Sequence, residues 1–213
     1  MTHLVITTEQ AISWLKKTND RIQANKEYLT ELDQLVGDGD HGINMARGFR
    51  EVATALESGN YEDIGAVLHQ AGMVLISKVG GASGPLYGTA LMKMGAALKG
   101  KPEMNLHDAA QALQEAIAGI KLRGKAQAGD KTMLDLWEPF AAFIQQSENT
   151  LSYEQFRALC EEQLEKIKQL EAKRGRASFL GSRSIGHLDP GAVSSFYLFD
   201  ALCLTITESG APA

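Results

Sequence analysis

The sequence predicts an all-α fold, and three observations carry that expectation. Apolar residues recur at three- and four-residue spacings along nearly the whole chain, the pattern of helices with one buried face. No stretch alternates apolar and polar residues as a half-buried strand would. Helix-start signals, a Ser, Thr, Asn or Asp followed three residues later by an acid or amide, stand just ahead of several apolar runs.

Nine helical segments are expected. Thr7 with Gln10 forms the capping signal of the first, which carries Ile12, Leu15 and Ile22. The second runs through Tyr28, Leu29, Leu32 and Val36 and stops at a Gly/Asp loop. Ile43, Ala46, Phe49, Ala53 and Leu56 mark the third. Ile64, Val67, Leu68, Ala71, Leu75 and Ile76 mark the fourth, ending at Gly80-Gly81. The fifth begins near Pro85, an acceptable first-turn position, and runs to about Lys99. Asn105 with Asp108 caps the sixth, which carries Leu106, Ala109, Leu113, Ile117 and Ile120. Asp130 is the expected N-cap of the seventh, with Met133, Leu134, Trp137 and Phe140, and Pro139 is expected to kink it. Ser152 with Gln155 starts the eighth, through Phe156, Leu159, Leu164, Ile167 and Leu170. The ninth runs from about Pro190 to Thr207, and its apolar residues spread around the circumference as in a deeply buried helix.

No linker rich in Pro, Gly or Ser divides the chain, so residues 1–213 are expected to form one domain with an ordered core from about 7 to 207. The tail Ser209–Ala213 is expected to be loose. The 213 residues are 44% hydrophobic and 22% charged, with a net charge of -5, a composition of ordinary globular domains. Acidity argues against direct nucleic-acid binding, which needs a basic face. It leaves a polyphosphate ligand possible if metal ions or a local Arg/Lys cluster offset its charge. Cys160 and Cys203 form no CxxC motif and read as buried thiols. The first residues lack the basic and apolar regions of a signal peptide, and no apolar run is expected to reach membrane-spanning length. A cytoplasmic location without membrane contact follows as the expectation.

Chemistry concentrates in four inter-helix segments. In Asp33…Gly37-Asp38-Gly39-Asp40-His41-Gly42-Ile43-Asn44, Asp38 and Asp40 alternate with glycines, and alternate residues of an extended backbone point to one side. Asp33 reaches the same point from a helix end. Converging carboxylates repel unless a cation lies between them, and oxygen ligands without Cys or paired His favour Mg²⁺ or Ca²⁺. The plain alternative is a polar Asp-Gly turn. Gly80-Gly81-Ala82-Ser83-Gly84-Pro85, just before a helix, can offer backbone N–H groups and the Ser83 hydroxyl to a phosphate, or can be a tight turn. In Arg123–Met133, Gly124 permits close approach and Met133 offers a polarizable surface for a flat base; a helix end followed by a helix start also explains this segment. Residues 173–191 make too long a connection for a simple turn, and their cations suit a polyphosphate. Together these are the parts of a site for a metal–nucleotide complex, and loops at one end of an up-and-down helical array can converge.

Those motifs, with Gly129-Asp130-Lys131-Thr132-Met133-Leu134-Asp135 and Gly175-Arg176-Ala177-Ser178…Asp189-Pro190-Gly191-Ala192, resemble the nucleotide-binding L subunits of bacterial dihydroxyacetone kinases over essentially the whole chain. The resemblance implies a barrel of eight antiparallel amphipathic helices with the nucleotide at one end. It implies ADP held as a cofactor, with ATP as its phosphorylated form, and two Mg²⁺ ions. It also implies partners: a phosphohistidine-carrying phosphotransferase subunit that phosphorylates the ADP in place, and a K subunit that holds dihydroxyacetone for the second transfer. The chain is shorter than the fused ATP-dependent kinases, which points to the system driven by phosphoenolpyruvate.

Carried over residue by residue, Asp33, Asp38 and Asp40 match metal ligands. His41, Gly42, Ile43 and Asn44 match a stretch lining the nucleotide, and Ala82 and Ser83 match its phosphate turn. Gly124 and Met133 match positions around the adenosine, while Arg176 and Asp189-Pro190-Gly191 match a lid. No side chain is expected to carry the phosphoryl group, since the nucleotide does so. His41 as a phosphohistidine is disfavoured, because a His beside metal-bound phosphate can simply donate a hydrogen bond. His187 reads first as an ordinary loop residue, and Trp14 and Trp137 as core aromatics. Lys131 and Thr132 either position phosphate or only start a helix. Residues 145–173, with a Lys/Glu-rich face, differ most from the family and bear on partner choice. Two alternatives stand beside this reading: a kinase subunit that exchanges ADP for ATP, and a nucleotide-sensing module that binds a transcriptional regulator.

Overall fold

In the computed structural model, which describes residues 5–147 and 150–209, several helices begin where a side chain caps them. Helix α1 (Thr8–Ala24) starts at a reciprocal capping box between Thr7 and Gln10, and α6 (Leu106–Gly124) at one between Asn105 and Asp108. Asp63 caps α4 (Ile64–Lys78), and Ser152 caps α8 (Tyr153–Gln169). The others are α2 (Lys26–Val36), α3 (His41–Glu57), α5 (Ser83–Ala97), α7 (Leu134–Gln146) and α9 (Pro190–Ser209), with a 3-10 segment over Arg176–Ser184. The sequence-predicted tail beyond 209 lies outside the described residues.

Three expectations need correction. A two-stranded antiparallel sheet joins β1 (Val5–Thr7) to β2 (Glu103–Asn105), with Ile6 opposite Met104. Strands of three residues are too short for alternation to register. Asp130 does not cap α7. Its carboxylate instead accepts the Gln127 N–H at 3.0 Å, and Asp135 gathers the loop by accepting from Gly129 N at 2.5 Å and Thr132 N at 2.8 Å. Finally, α9 is long and apolar enough to cross a membrane, yet 78% of that stretch is buried inside the fold, as befits a core helix.

Each helix packs on its neighbour in the order α1, α3, α4, α5, α6, α7, α8, α9, and α9 returns to α1, closing a ring of eight; α2 lies beside α3 and α9. The tightest seam joins α4 to α5. A Cβ added at Gly65 would stand 2.5 Å from the Gly95 carbonyl, and one at Gly72 would stand 2.7 Å from the Gly88 carbonyl. Only glycine lets two helix backbones approach so closely. The closing seam is polar. Asp200 of α9, 1% exposed, meets Arg21 of α1 at 2.7 Å and the Tyr153 hydroxyl of α8 at 2.6 Å. Inside the ring, Trp14 and Trp137 are fully buried, and Phe140 stacks on Phe199 with centroids 3.9 Å apart.

Up-and-down connectivity places the α2–α3, α4–α5, α6–α7 and α8–α9 connections at one end. These are the four segments in which the sequence concentrates its glycines and charges.

Candidate functional site

The aspartates converge because their loop folds back over the end of α2. Asp33, 8% exposed, accepts the backbone N–H groups of Asp40 at 2.9 Å and His41 at 3.1 Å. Gly37 admits that carboxylate, since a Cβ there would lie 2.1 Å from Asp33 Oδ1, and Gly39 takes φ +75°. Ligand oxygens of Asp33, Asp38 and Asp40 consequently lie within 4.8 Å of one another. No nitrogen or sulfur ligand joins the set, so the chemistry suits a hard divalent cation. Asp38 also pairs with Arg176, whose Nη2 is 2.9 Å from Asp38 Oδ2.

The aspartates form one side of a cavity of about 680 Å³, a volume typical of small-molecule sites. His41, Ala82 and Ser83 line it beside the aspartates; Gly124 and Met133 line it from the α6–α7 connection; Arg176 and Asp189-Pro190-Gly191 line it from the α8–α9 connection. Three residues of the expected stretch lie outside its lining. Gly42 is pressed onto α2, where a Cβ would meet the Lys26 carbonyl at 2.1 Å. Ile43 is exposed. Asn44 is buried, accepts from Arg47 Nη2 at 2.8 Å and lies under Gly80. Successive residues of a helix turn by about 100°, so the first turn of α3 sends one of these four side chains toward the cavity.

Beneath the floor runs a buried polar network. His41 Nδ1 meets Ser83 Oγ at 3.0 Å and Nε2 meets Ser194 Oγ at 2.9 Å. The Tyr87 hydroxyl lies 2.7 Å from both Ser194 Oγ and Ser195 Oγ and donates to the Gly191 carbonyl at 2.9 Å. Trp137 Nε1 donates to Ser195 Oγ at 2.8 Å. Burial lowers the His41 pKa to about 4, with the Asp33 charge opposing, so its ring is neutral near pH 7. Both ring nitrogens are engaged by hydroxyls, so the one nitrogen that carries a lone pair in the neutral ring faces a serine hydroxyl. Burial also pushes the Tyr87 phenol above its usual range. Ser194, Ser195 and Tyr87 carried no motif in the sequence; a serine pair facing a tyrosine is visible only once α9 is docked. Removing the hydroxyl in Tyr87→Phe leaves buried partners unmatched. It is expected to lower unfolding stability by about 1–3 kcal/mol, read as a shift in urea midpoint at constant slope.

Asp189 precedes Pro190, the first residue of α9, and its carboxylate caps that helix by accepting the Ala192 N–H at 2.7 Å. Desolvation raises its pKa to about 7, opposed by that hydrogen bond and by Lys131. Lys131 and Thr132 also line the cavity. Lys131 is 2% exposed and takes a left-handed φ of +60°. It and Asp130 join the α6–α7 connection to residues 168–186, a role sequence spacing does not display. His187 is half-buried and lies outside the cavity lining.

The DAK2 domain model matches residues 35–204. The chain is 46% identical over 195 residues to the PEP-dependent dihydroxyacetone kinase 1, ADP-binding subunit DhaL, of Listeria innocua, covering 92% of this chain and 95% of that one. It is 44% identical over 202 residues to the PTS-dependent dihydroxyacetone kinase, ADP-binding subunit DhaL, of Lactococcus lactis, covering 93% and 97%. Among solved structures, the dihydroxyacetone kinase of C. freundii in complex with AMP-PNP and Mg²⁺ superposes with a TM-score of 0.70 at 25% identity. That match covers 92% of this chain and 33% of the larger one.

Proposed function

The chain belongs to the DAK2 domain family, and on that premise we propose that it is the ADP-binding subunit of a dihydroxyacetone kinase driven by phosphoenolpyruvate. The observation that carries the reading is the meeting of three carboxylates, a glycine turn at the start of α5 and an arginine-bearing connection around one cavity. It occurs in a chain that matches relatives named as such subunits along nearly their whole length.

The donor set fits magnesium. Three carboxylates facing a diphosphate would repel it, and divalent cations between them reverse the sign. Asp33, Asp38 and Asp40 would hold two Mg²⁺ ions. Asp33 is fixed in advance by two backbone donors, so little order is lost when it binds metal. Ala82 and Ser83 would offer N–H and hydroxyl donors to phosphate at the start of α5, where the helix dipole favours negative charge. Gly124 and Met133 would border the adenosine, and Arg176 would add a cation over the phosphates. Bound there, ADP would supply the acceptor for a phosphoryl group from a phosphohistidine on a partner subunit and, as ATP, its donor to dihydroxyacetone held by a K subunit. The protein's share of such a transfer is alignment and charge neutralisation. A cytoplasmic setting is consistent with two free, buried thiols.

The test supplies phosphoenolpyruvate, the phosphotransferase proteins, a K subunit and dihydroxyacetone to ADP-loaded, dialysed protein. Product is expected without added ATP. Product that forms only when ATP is supplied, or ADP lost on dialysis, would instead favour an exchanging kinase subunit.

A further inference from the structure

We propose that Lys131 is a positioning residue that ties the α8–α9 connection to the α6–α7 connection and thereby sets how long a nucleotide stays in the cavity. The inference rests on the nucleotide-carrying reading above.

The Lys131 ammonium donates to three backbone carbonyls: Lys168 at 3.1 Å, Leu170 at 2.9 Å and Ser184 at 2.8 Å. An ammonium has three N–H donors, and all three are committed to the protein, which leaves none to bind a phosphate. Two of those carbonyls lie at the end of α8 and the third at the end of the 3-10 segment, so one cation gathers both ends of residues 170–184. Adjacent contacts act in the same direction. Asp130, 2% exposed, receives Arg174 Nε at 3.2 Å on its carboxylate and the Lys173 N–H at 3.0 Å on its carbonyl. Ser184 Oγ accepts the Ala172 N–H at 2.9 Å and donates to the Gly181 carbonyl at 2.7 Å, and Gly186 N–H returns to the Lys168 carbonyl at 2.8 Å.

Few apolar anchors hold the segment in place of this tie. Phe179 at its centre is 86% exposed, and Arg176, which faces Asp38, is carried on it. Residues 170–184 are held over the aspartates by packing of the 3-10 segment on α2, by the Arg176–Asp38 pair and by polar contacts to Asp130 and Lys131. The same α6–α7 connection bears Met133 in the cavity lining. A buried ammonium that satisfies three carbonyls is costly to lose, because those carbonyls are then left without partners. The tie is local, however. It joins the α6–α7 connection to the end of α8 and the 3-10 segment, so loosening it should open the cavity before it disturbs the ring.

Lys131→Met keeps the unbranched stem of the side chain, one atom shorter, and removes its donors. In ligand-free protein, hydrogen exchange of residues 170–186 is expected to quicken at least about 10-fold, with α1, α4 and α5 unchanged. In ADP-loaded protein, release of ADP into a chase of unlabelled nucleotide is expected to quicken by a similar factor. Unchanged exchange in 170–186, or unchanged ADP release, would overturn the proposal. So would single-turnover phosphoryl transfer slowed in Ser184→Ala, which lies outside the cavity lining. If Lys131→Met does not fold, Ser184→Ala, outside the cavity lining, is expected to move exchange and release the same way by a smaller factor, and no movement there would count equally against the tie. Failure of the parent protein to hold ADP would refute the nucleotide reading, and the exchange measurement, made without nucleotide, would still decide the tie.

Discussion

Replacing Asp38 or Asp40 with alanine is expected to weaken Mg²⁺-dependent ADP binding and phosphoryl transfer by at least about 100-fold while leaving the helices intact. The sign of the effect on stability should depend on the ligand. Without metal, three carboxylates within 4.8 Å of one another repel, and both residues are exposed, so the variants should melt with or slightly above the parent in EDTA. With Mg²⁺ and ADP at about a thousand times the dissociation constant, the parent gains roughly 4 kcal/mol by mass action, and the variants gain almost none. Asp38→Ala also releases Arg176 from its ion pair. A single mobile guanidinium cannot replace divalent cations wedged between carboxylate and phosphate, so the loss dominates. Calorimetric titration with ADP in Mg²⁺, alongside melting in both conditions, reads each quantity. Normal ADP retention and turnover in either variant would remove the aspartates from the site.

Gly84→Ala should damage the same site by a different route. A Cβ there would stand 2.3 Å from the Val79 carbonyl and 3.0 Å from the Leu75 carbonyl, both backbone atoms that cannot swing aside. The first turn of α5 would have to lift off the end of α4, carrying Ala82 and Ser83 with it. The expected cost is about 3 kcal/mol of stability, the upper range for overpacking, in EDTA and in Mg²⁺ alike, together with weaker ADP binding. Gly81→Ala is the natural comparison. Gly81 has φ +65° but open space around it, so its alanine should lose only about 1 kcal/mol, the backbone penalty. Chemical denaturation of the pair separates crowding from strain, and equal losses would contradict the contact argument.

What the chain discloses in one dimension divides by distance along it. The starts at Thr7, Asn105 and Ser152 were legible because a cap and its partner are three residues apart. The meeting of Asp33, Asp38 and Asp40 was legible for the same reason, since a helix end and an alternating loop constrain each other locally. The β1–β2 pairing was not, because Ile6 and Met104 are brought together only by the folded ring. Asp130 misled because its residue type suits a cap, and tertiary contacts to Arg174 and Lys173 engage it instead. The resemblance set the His41–Asn44 stretch along the nucleotide, and helical rotation turns Gly42 to α2 and Ile43 to solvent. The serines of α9 that hold Tyr87 and His41 had no signal, because a serine on an apolar helix is ordinary until its partner is known.

Ring closure by α9 has a kinetic corollary. The Trp14 indole and the Leu198 carbonyl that it reaches at 2.9 Å are 184 residues apart, so docking α9 requires one of the longest loop closures among the described residues. Long-range closure of this kind is slow relative to local helix formation. Before it happens, residues 189–191 are not yet a wall of the cavity, and the apolar faces of α1 and α8 lie open to other nascent chains. Competence to capture ligand should therefore arrive in refolding as a late event, after most of the circular dichroism signal has recovered, and aggregation losses should concentrate in the interval between the two.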